Sequence, residues 1–312
     1  MIRFYKHRYM YFAISLCLIL FGLVAAFVNG IQLDIQFKGG TILKYTYSAA
    51  INADQAEKIV EQAVGRTTNC QLQSNMAKDE HMLIVSLASN EALTSQEQEK
   101  VTSALTQANP DAQLALSESL TVEPFVGKHF FTNGMIAITL SFLLILIYVG
   151  WRFRNIGGFS AGTMAIIALF HDVFIVTAVF IIFKIPINDS FIAAILTIIG
   201  FSINDTIVIY DRIRENERLL RNKVSAEELV DLSINQSIMR SINTNIAVFV
   251  SITVIYIFAQ IYDIGSIRAF ALPMMFGTIS GCYSTICIAG PLWTMWQNYK
   301  HKAQSTIKPV KA

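Results

Sequence analysis

The chain has 312 residues, of which 54% are hydrophobic and only 15% are charged, and its mean hydropathy is +0.48. A soluble protein usually carries about a quarter charged residues, so the composition indicates that lipid solvates part of this chain. The net charge of +2 is too small to indicate binding to nucleic acid.

The four cysteines give no sign of a metal or redox site. They are Cys17, Cys70, Cys282 and Cys287. No pair has the spacing of a zinc or redox motif, so we interpret them as apolar packing residues. Cys70 alone lies in a polar region, which excludes a disulfide within that region. We therefore expect neither a metal nor a cofactor.

The first apolar segment follows a basic N-terminus, residues 1–8, and covers residues 9–29. A cleaved signal peptide would show the same charge pattern, with Ala25 and Ala26 as small residues for cleavage. However, about 20 residues span the hydrocarbon core of a bilayer, and this run is longer than the apolar stretch of a signal peptide. We interpret it as a retained first transmembrane helix.

Residues 30–129 are polar and mixed in charge, and they predict a separate folded domain. Asn52 can cap a helix to about Val64, and Thr94 or Ser95 can cap another to about Ala108. Short strand candidates flank these helices in the order β-α-β-β-α-β. This order predicts a small ferredoxin-like α+β domain, and it contains no recognisable catalytic constellation.

Five further apolar segments complete a predicted bundle of six transmembrane helices. They cover residues 130–151, 156–183, 188–210, 236–262 and 269–296. The segment 211–235 is predicted to be a loop in which Ser225 and Glu228 form a capping box that opens a short amphipathic helix. Residues 297–312 are predicted to be a C-terminal tail.

The lysines and arginines predict the orientation of the bundle. Most of them lie in the N-terminus, the C-terminal tail and the connections on that same side, whereas the short loops of the opposite side carry only Lys184 and Arg268. Because cytoplasmic loops carry an excess of Lys and Arg, we expect both termini to be cytoplasmic. Residues 30–129 would then lie in the periplasm of a cell with an inner membrane.

Ionisable side chains within the apolar segments are the main functional lead, because each costs about 2.5–3.5 kcal/mol at a helix centre. They are His171 and Asp172 in the third segment, Asp205 in the fourth, beside Asn204, and Arg240 in the fifth. The helical rise places Asp205 roughly 9 Å inside its end of the membrane, at a depth comparable to that of Arg240. We expect these two side chains to pair.

Small and polar residues recur along one face of the fifth segment. They are Gln236, Arg240, Thr244, Ala247 and Ser251, with Asn243 alongside. We expect this face to point into the bundle, where a carboxylate that alternates between a protonated and an arginine-paired form can relay protons. The alternative is that these polar groups only stabilise helix packing. For Asp205 and Arg240 the residues favour the proton relay, whereas for His171 and Asp172 they favour the two interpretations about equally.

No nucleotide-binding or hydrolytic motif is present. Walker, nucleophile-elbow, HExxH and CxxC sequences are all absent. We therefore do not expect an ATPase or another enzyme, and a function that needs energy would draw on an ion gradient or on a partner.

Four segments together resemble the SecF family. Residues 200–216 read G-F-S-I-N-D-T-I-V-I-Y-D-R-I-R-E-N and resemble that family's signature around the fourth membrane helix, G-Y-S-I-N-D-T-V-V-V-F-D-R-I-R-E-N. His171-Asp172 resembles its histidine–aspartate pair. Residues 237–244 resemble the motif that opens its fifth helix, and residues 37–41 resemble the glycine pair after its first helix. The chain departs from the pattern at Gln36, where the family has Asp, and at Glu123, where it has Gly.

The resemblance implies a six-helix bundle of the RND superfamily that packs against the six helices of SecD. The family assists the SecYEG translocon, with YajC as a further candidate partner, and uses the proton motive force to export unfolded polypeptide. Protons and membrane lipid are thus implied partners, and nucleic acid is not. The implied proton path comprises Asp205, Arg240, Asp172, His171, Asn204, Asn243 and Thr244, and the implied structural glycines are Gly39, Gly40 and Gly200.

Two other functions remain open at this point. One is an RND-like proton-coupled exporter of small molecules or lipids, although such exporters usually have twelve helices and two larger outer domains. The other is a non-catalytic scaffold of the translocon, in which the buried charges are only structural.

Overall fold

The computed structural model describes residues 2–49, 51–66, 68–75, 80–88, 93–122, 124–220, 223–262 and 264–307. Glu123, which departs from the family's sequence pattern, lies outside these ranges, and so do residues 308–312 of the predicted tail. The side chain of Gln36 is not described either. Within the described part, six helices are long and apolar enough to cross a membrane. The predicted six-helix membrane bundle with a small α+β domain is thereby confirmed.

The helices and strands follow one another in the predicted order. They are α1 (Arg8–Asn29), α2 (Ile35–Lys38), β1 (Gly40–Tyr47), α3 (Ala53–Val64), β2 (Thr68–Asn75), β3 (Glu80–Ala88), α4 (Ser95–Ala108), β4 (Ala115–Val122), α5 (Pro124–Arg152), α6 (Gly158–Ile182), α7 (Asp189–Leu220), α8 (Ala226–Ile261), α9 (Gly265–Ser284) and α10 (Gly290–Ile307). A π-helical turn, Thr285–Ala289, joins α9 to α10, so that the last membrane segment is one continuous helical rod.

The domain of residues 30–129 is called the outer domain after its predicted side of the membrane. It contains an antiparallel sheet with strand order β2-β3-β1-β4, the ferredoxin-like arrangement that the sequence predicts. Side chains such as Leu43, Val60 and Leu105 form its buried core, between the sheet and the helices α3 and α4. Both predicted helix caps are present, since the Asn52 side chain accepts backbone N–H bonds at the start of α3 and Thr94 forms a capping box at the start of α4.

The segment predicted as a loop, residues 211–235, is mostly helical. Helix α7 continues to Leu220 and α8 already begins at Ala226, where the Ser225 capping box is formed as predicted. No Gly or Pro interrupts the sequence from Ala226 to Ile261, so the helix that the capping box opens runs on as the fifth membrane helix. Hydropathy marks only the part of a helix that lipid can surround, so it predicts the end of α7 too early and the start of α8 too late.

A short strap, formed by the β-bridge between Leu33 and Ile187, connects the outer domain to the membrane helices. Residue Leu33, just after α1, forms a parallel β-bridge with Ile187 in the connection between α6 and α7. The bridge is closed by hydrogen bonds from Asp34 N to Ile187 O (3.0 Å) and from Ile187 N to Gln32 O (2.8 Å). The chain then turns into β1 through Gly39 at φ 79°, an angle that favours glycine.

Candidate functional site

Asp172 on α6 is a fully buried carboxylate enclosed by three serines. Its Oδ2 accepts hydrogen bonds from Ser202 Oγ and Ser284 Oγ, both at 2.7 Å, and its Oδ1 accepts one from Ser280 Oγ at 2.6 Å. Ser202 lies on α7, whereas Ser280 and Ser284 lie one turn apart on α9. This serine cage (Ser202, Ser280 and Ser284) therefore ties three membrane helices to one charge.

His171 extends the polar group beside Asp172. Its Nδ1 lies 3.3 Å from Asp172 Oδ1 and 3.5 Å from Ser280 Oγ, while its Nε2 is buried and has no hydrogen-bond partner among the described residues. The ring of Tyr283 lies 6.0 Å away, between centroids, and the Tyr283 hydroxyl donates to the backbone carbonyl of Tyr11 on α1 at 2.6 Å. Polar groups thus run from α1 towards Asp172.

Asp205 on α7 is 5% exposed and bonds to an amide rather than to an arginine. Its Oδ2 accepts a hydrogen bond from Asn245 Nδ2 at 2.5 Å, and the same nitrogen donates to the backbone carbonyl of Ser241 at 2.9 Å. The expected ion pair with Arg240 is not formed, although Arg240 is near enough for its charge to act on the carboxylate. Arg240 and Asn245 are about 140° apart around α8, so their side chains face different directions.

The polar stripe of α8 lies on the surface of the chain, and the expectation that it points into the bundle is wrong. Arg240, Asn243 and Thr244 are all exposed. Helix α8 packs on α7 and α9 through its other side, which carries the buried Ser237 and Ser241. Depth and spacing define such a stripe, but they do not tell which side of the helix meets its neighbours.

Helix α7 adds two further exposed positions. Asn204 is exposed beside the buried Asp205, and Gly200 is exposed one turn before it. A side chain at Gly200 would meet nothing within 4 Å. We call these residues the open polar face of the chain, comprising Gly200, Asn204, Arg240, Asn243 and Thr244.

The last residues of the segment 200–216 form contacts that hold α7 against its neighbours. Asp211 binds both Arg152 of α5 and Arg214 of its own helix. The buried Asn216 donates to Ser233 Oγ at 2.9 Å, which fixes α7 against the start of α8. These contacts hold the helix extensions that the sequence interpretation took for a loop.

Several site residues were missed from the sequence. They are Asn245, Ser280, Ser284, Thr206 and Thr285, of which the last two bond to each other at 3.0 Å beside Ser202. The spacing of Ser280 and Ser284 puts both on one helix face and could have indicated their common partner. Within the described residues, no group of three or more His, Cys, Asp or Glu side chains could hold a metal ion.

The comparisons with known proteins agree on one family. Residues 100–299 match the model of the protein export membrane protein SecD/SecF, C-terminal region. The protein translocase subunit SecF of Thermobaculum terrenum is 33% identical over 307 residues, which cover 96% of this chain and 95% of that protein. The SecF subunit of Helicobacter pylori strain J99 is 31% identical and covers 95% of this chain and 88% of its own.

Two solved structures are similar along nearly the whole chain. The crystal structure of SecDF from Thermus thermophilus superimposes with a TM-score of 0.78 at 28% identity, over 95% of this chain and 39% of that one. A structure of SecDF in a super-membrane-facing form gives a TM-score of 0.69 at 27% identity, over 98% of this chain and 40% of that one. This chain thus spans about two fifths of the SecDF chains that it matches.

Proposed function

Because the chain belongs to the SecD/SecF family of protein-export membrane proteins and is a SecF-type accessory subunit of the Sec protein translocase, we propose that it couples the proton motive force to polypeptide export in complex with a SecD partner. It is a multi-pass membrane protein with six spanning helices. The observation that carries the proposal is the buried carboxylate of Asp205, held by an amide beside an open polar face.

The open polar face supports the proposal that the chain packs against a SecD partner. An arginine facing lipid near a helix centre costs about 2.5–3.5 kcal/mol, and polar groups at this depth normally face protein or water. Arg240, Asn243 and Thr244 are exposed in the single chain, which supports a second helical bundle as the group that covers them. The SecDF chains, which extend well beyond the region matched here, suggest that SecD is that bundle. Gly200, with open space around it, allows a partner helix to approach closely.

Asp205 is the proposed proton carrier. In its ionised form it accepts the Asn245 amide, and the charge of Arg240 lies nearby. In its protonated form the carboxyl group has no negative charge, so its interactions with the Asn245 amide and with Arg240 weaken. The contact between α7 and α8 can then change. Each charge that crosses 100 mV supplies about 2.3 kcal/mol. Asn204, Asn243 and Thr244 would contact the water or the SecD groups that complete the path.

His171 and Asp172 have a less direct place in this proposal. They lie on the side of the bundle towards α1 and α9, away from the open polar face, and could carry a proton through the chain itself. The serine cage favours the alternative, in which the carboxyl group of Asp172 accepts three hydroxyl bonds and holds α6, α7 and α9 together.

The outer domain would convert a shift of α7 relative to α8 into a movement that pulls on the polypeptide. We propose that both termini are cytoplasmic and that residues 30–129 face the periplasm, where exported chains emerge. The strap between Leu33 and Ile187 joins this domain to the outer ends of α6 and α7, so a shift of α7 would reach the domain through Gly39 and Gly40. SecYEG is the proposed channel partner, and YajC a further candidate.

The test replaces Asp205 with Asn and measures export of a secreted precursor into inverted membrane vesicles, with and without a proton gradient. We expect basal export to persist and the gradient-dependent gain to disappear. Asp189→Asn is the matched control, because it makes the same change at an exposed position of the same helix. A gain that survives in Asp205→Asn would contradict the proton role and favour a scaffold. Co-purification with SecD would argue against an exporter of small molecules.

A further inference from the structure

A cleft opens where α1 and α10 end on the side of the bundle that carries both termini. Its volume is about 850 Å³, which falls within the usual range of ligand pockets. It lies between α1, α10 and the start of α8. Its lining includes Tyr5, Arg8, Tyr9, Glu227, Tyr299 and Lys302.

Arg8 is held in this cleft by two tyrosines. Its guanidinium lies 4.1 Å from the ring centroid of Tyr5 and 4.5 Å from that of Tyr9. It donates to the backbone carbonyl of Tyr5 at 2.9 Å and reaches the Tyr9 hydroxyl at 3.5 Å, while its Nε has no partner among the described residues. No carboxylate in the described part of the chain lies within 4.0 Å of it. Arg8 is therefore positioned without being neutralised.

The charges around the cleft favour an anion. Arg8 and Lys302 line it from two different helices, and Glu227 is the acidic residue among the lining side chains. Glu227 accepts a hydrogen bond from Asn298 Nδ2 at 3.1 Å, which occupies part of its acceptor capacity. The guanidinium of Arg8, with no carboxylate of the described residues within 4.0 Å, offers several donors in the planar arrangement that matches phosphate oxygens.

The side chains around the cleft are of the kind found where a membrane changes from acyl chains to headgroups. Tyr9 and Tyr299 are 65% and 70% exposed, and Trp296 is half-exposed one turn before Tyr299. Trp and Tyr are enriched at this interface. On α1, exposed apolar side chains such as Ile14 begin directly after Tyr9 and continue along the helix.

We propose that this cleft binds the phosphodiester headgroup of an anionic phospholipid, with the acyl chains along the exposed apolar surface of α1. Basic pockets between transmembrane helices bind such headgroups in the membrane leaflet that is rich in anionic lipid. Arg8 contacts the phosphate, Lys302 approaches from α10, and the tyrosines surround the glycerol. This inference does not depend on the proton role of Asp205.

The test uses the purified full chain in detergent and counts bound lipid by native mass spectrometry. Phosphatidylglycerol is compared with phosphatidylcholine of the same acyl chains. We expect one phosphatidylglycerol to be retained in preference to phosphatidylcholine, and Arg8→Gln to bind it roughly tenfold more weakly, as for the loss of a hydrogen bond between charged groups. Lys6→Gln is the matched control, since it removes the same charge two residues earlier but outside the cleft. It should bind as the wild type does.

Three outcomes would overturn the proposal. Equal retention of both lipids would show that the headgroup charge is not recognised. An equal loss in Lys6→Gln and Arg8→Gln would show a general effect of basic residues. Displacement of the lipid by inorganic phosphate at the same concentration would indicate a site for free anions. If Arg8→Gln does not fold, Lys302→Gln takes its place, and unchanged binding in that variant would contradict the role of the cleft.

Discussion

Replacing Asp172 with Asn removes one acceptor from a site where three hydroxyls donate to one carboxylate. Oδ2 holds Ser202 and Ser284, and Oδ1 holds Ser280. An asparagine offers one acceptor oxygen and one NH₂ donor. In the better of its two orientations, the oxygen keeps Ser202 and Ser284 while the NH₂ group faces Ser280. At least one buried hydroxyl therefore loses its acceptor.

The expected cost follows from this count. A hydrogen bond to a charged group contributes about 1.5–3 kcal/mol, so Asp172→Asn should lower the free energy of unfolding by about that amount. Asp172→Ala should lower it further, because all three hydroxyls lose the carboxylate. The assay is unfolding of the purified chain in mixed SDS and detergent micelles, followed by the fluorescence of residues such as the buried Trp293.

A second substitution, Ser280→Ala, tests whether this serine and Asp172 stabilise the chain through the same hydrogen bond. Ser280→Ala should destabilise the wild type but cost little in the Asp172→Asn background, where its bond is already lost. Ser251→Ala is the control, since the hydroxyl of this exposed serine donates to Ala247 O of its own helix and has no other hydrogen bond among the described residues. If Ser280→Ala costs the same in both backgrounds, or if Asp172→Asn is as stable as the wild type, the serine cage does not hold the bundle in the way described.

Three further predictions follow from other parts of the molecule. Burial and nearby glutamates raise the pKa of Cys70 to about 12, so its thiol should stay unreactive to maleimide at pH 8 until the outer domain unfolds. Gly277→Leu should destabilise the chain, because a Cβ there would overlap Ile198, whereas Gly200→Leu should leave unfolding unchanged and reduce co-purification with SecD. Gly39→Val places a β-branched residue at φ 79° and should speed proteolysis of the outer domain, at a cost of about 1–2 kcal/mol.

Each of these predictions has an outcome that contradicts it. Rapid labelling of folded Cys70 would show that the thiol is not buried as described. A stable Gly277→Leu chain would disprove the close contact between α7 and α9, and normal SecD recovery with Gly200→Leu would remove support for the open polar face as the interface. For Gly39, Gly39→Asn is the control, because Asn tolerates positive φ better than Val does. Equal rates of proteolysis in Gly39→Val and the wild type would contradict the prediction.

The sequence predicted the parts of the fold that depend on local patterns. Hydropathy located six spanning helices. Asn52, Ser225 and either Thr94 or Ser95 could be predicted as helix caps, because capping depends on neighbouring residues alone. The ends of α7 and α8 were misplaced, since polar residues outside the membrane can remain helical when a capping box and long-range contacts such as Asn216 to Ser233 hold them.

The candidate site was predicted by residue type but not by geometry. Buried charge is costly, so Asp172 and Asp205 could be singled out by their position inside apolar segments. Their partners could not, because the direction of a side chain around its helix depends on which neighbours that helix packs against. Arg240 was assigned to Asp205 on depth, whereas the structure gives that contact to Asn245 and leaves Arg240 on the open polar face.

The central claim, that Asp205 takes up and releases a proton within the membrane, is tested most directly by infrared difference spectroscopy of the complex with SecD. Lowering the pH should produce the C=O band of a buried carboxylic acid. We predict that this band is missing in Asp205→Asn and retained in Asp189→Asn. An unchanged band in Asp205→Asn would contradict the account, because the proton would then bind to another group.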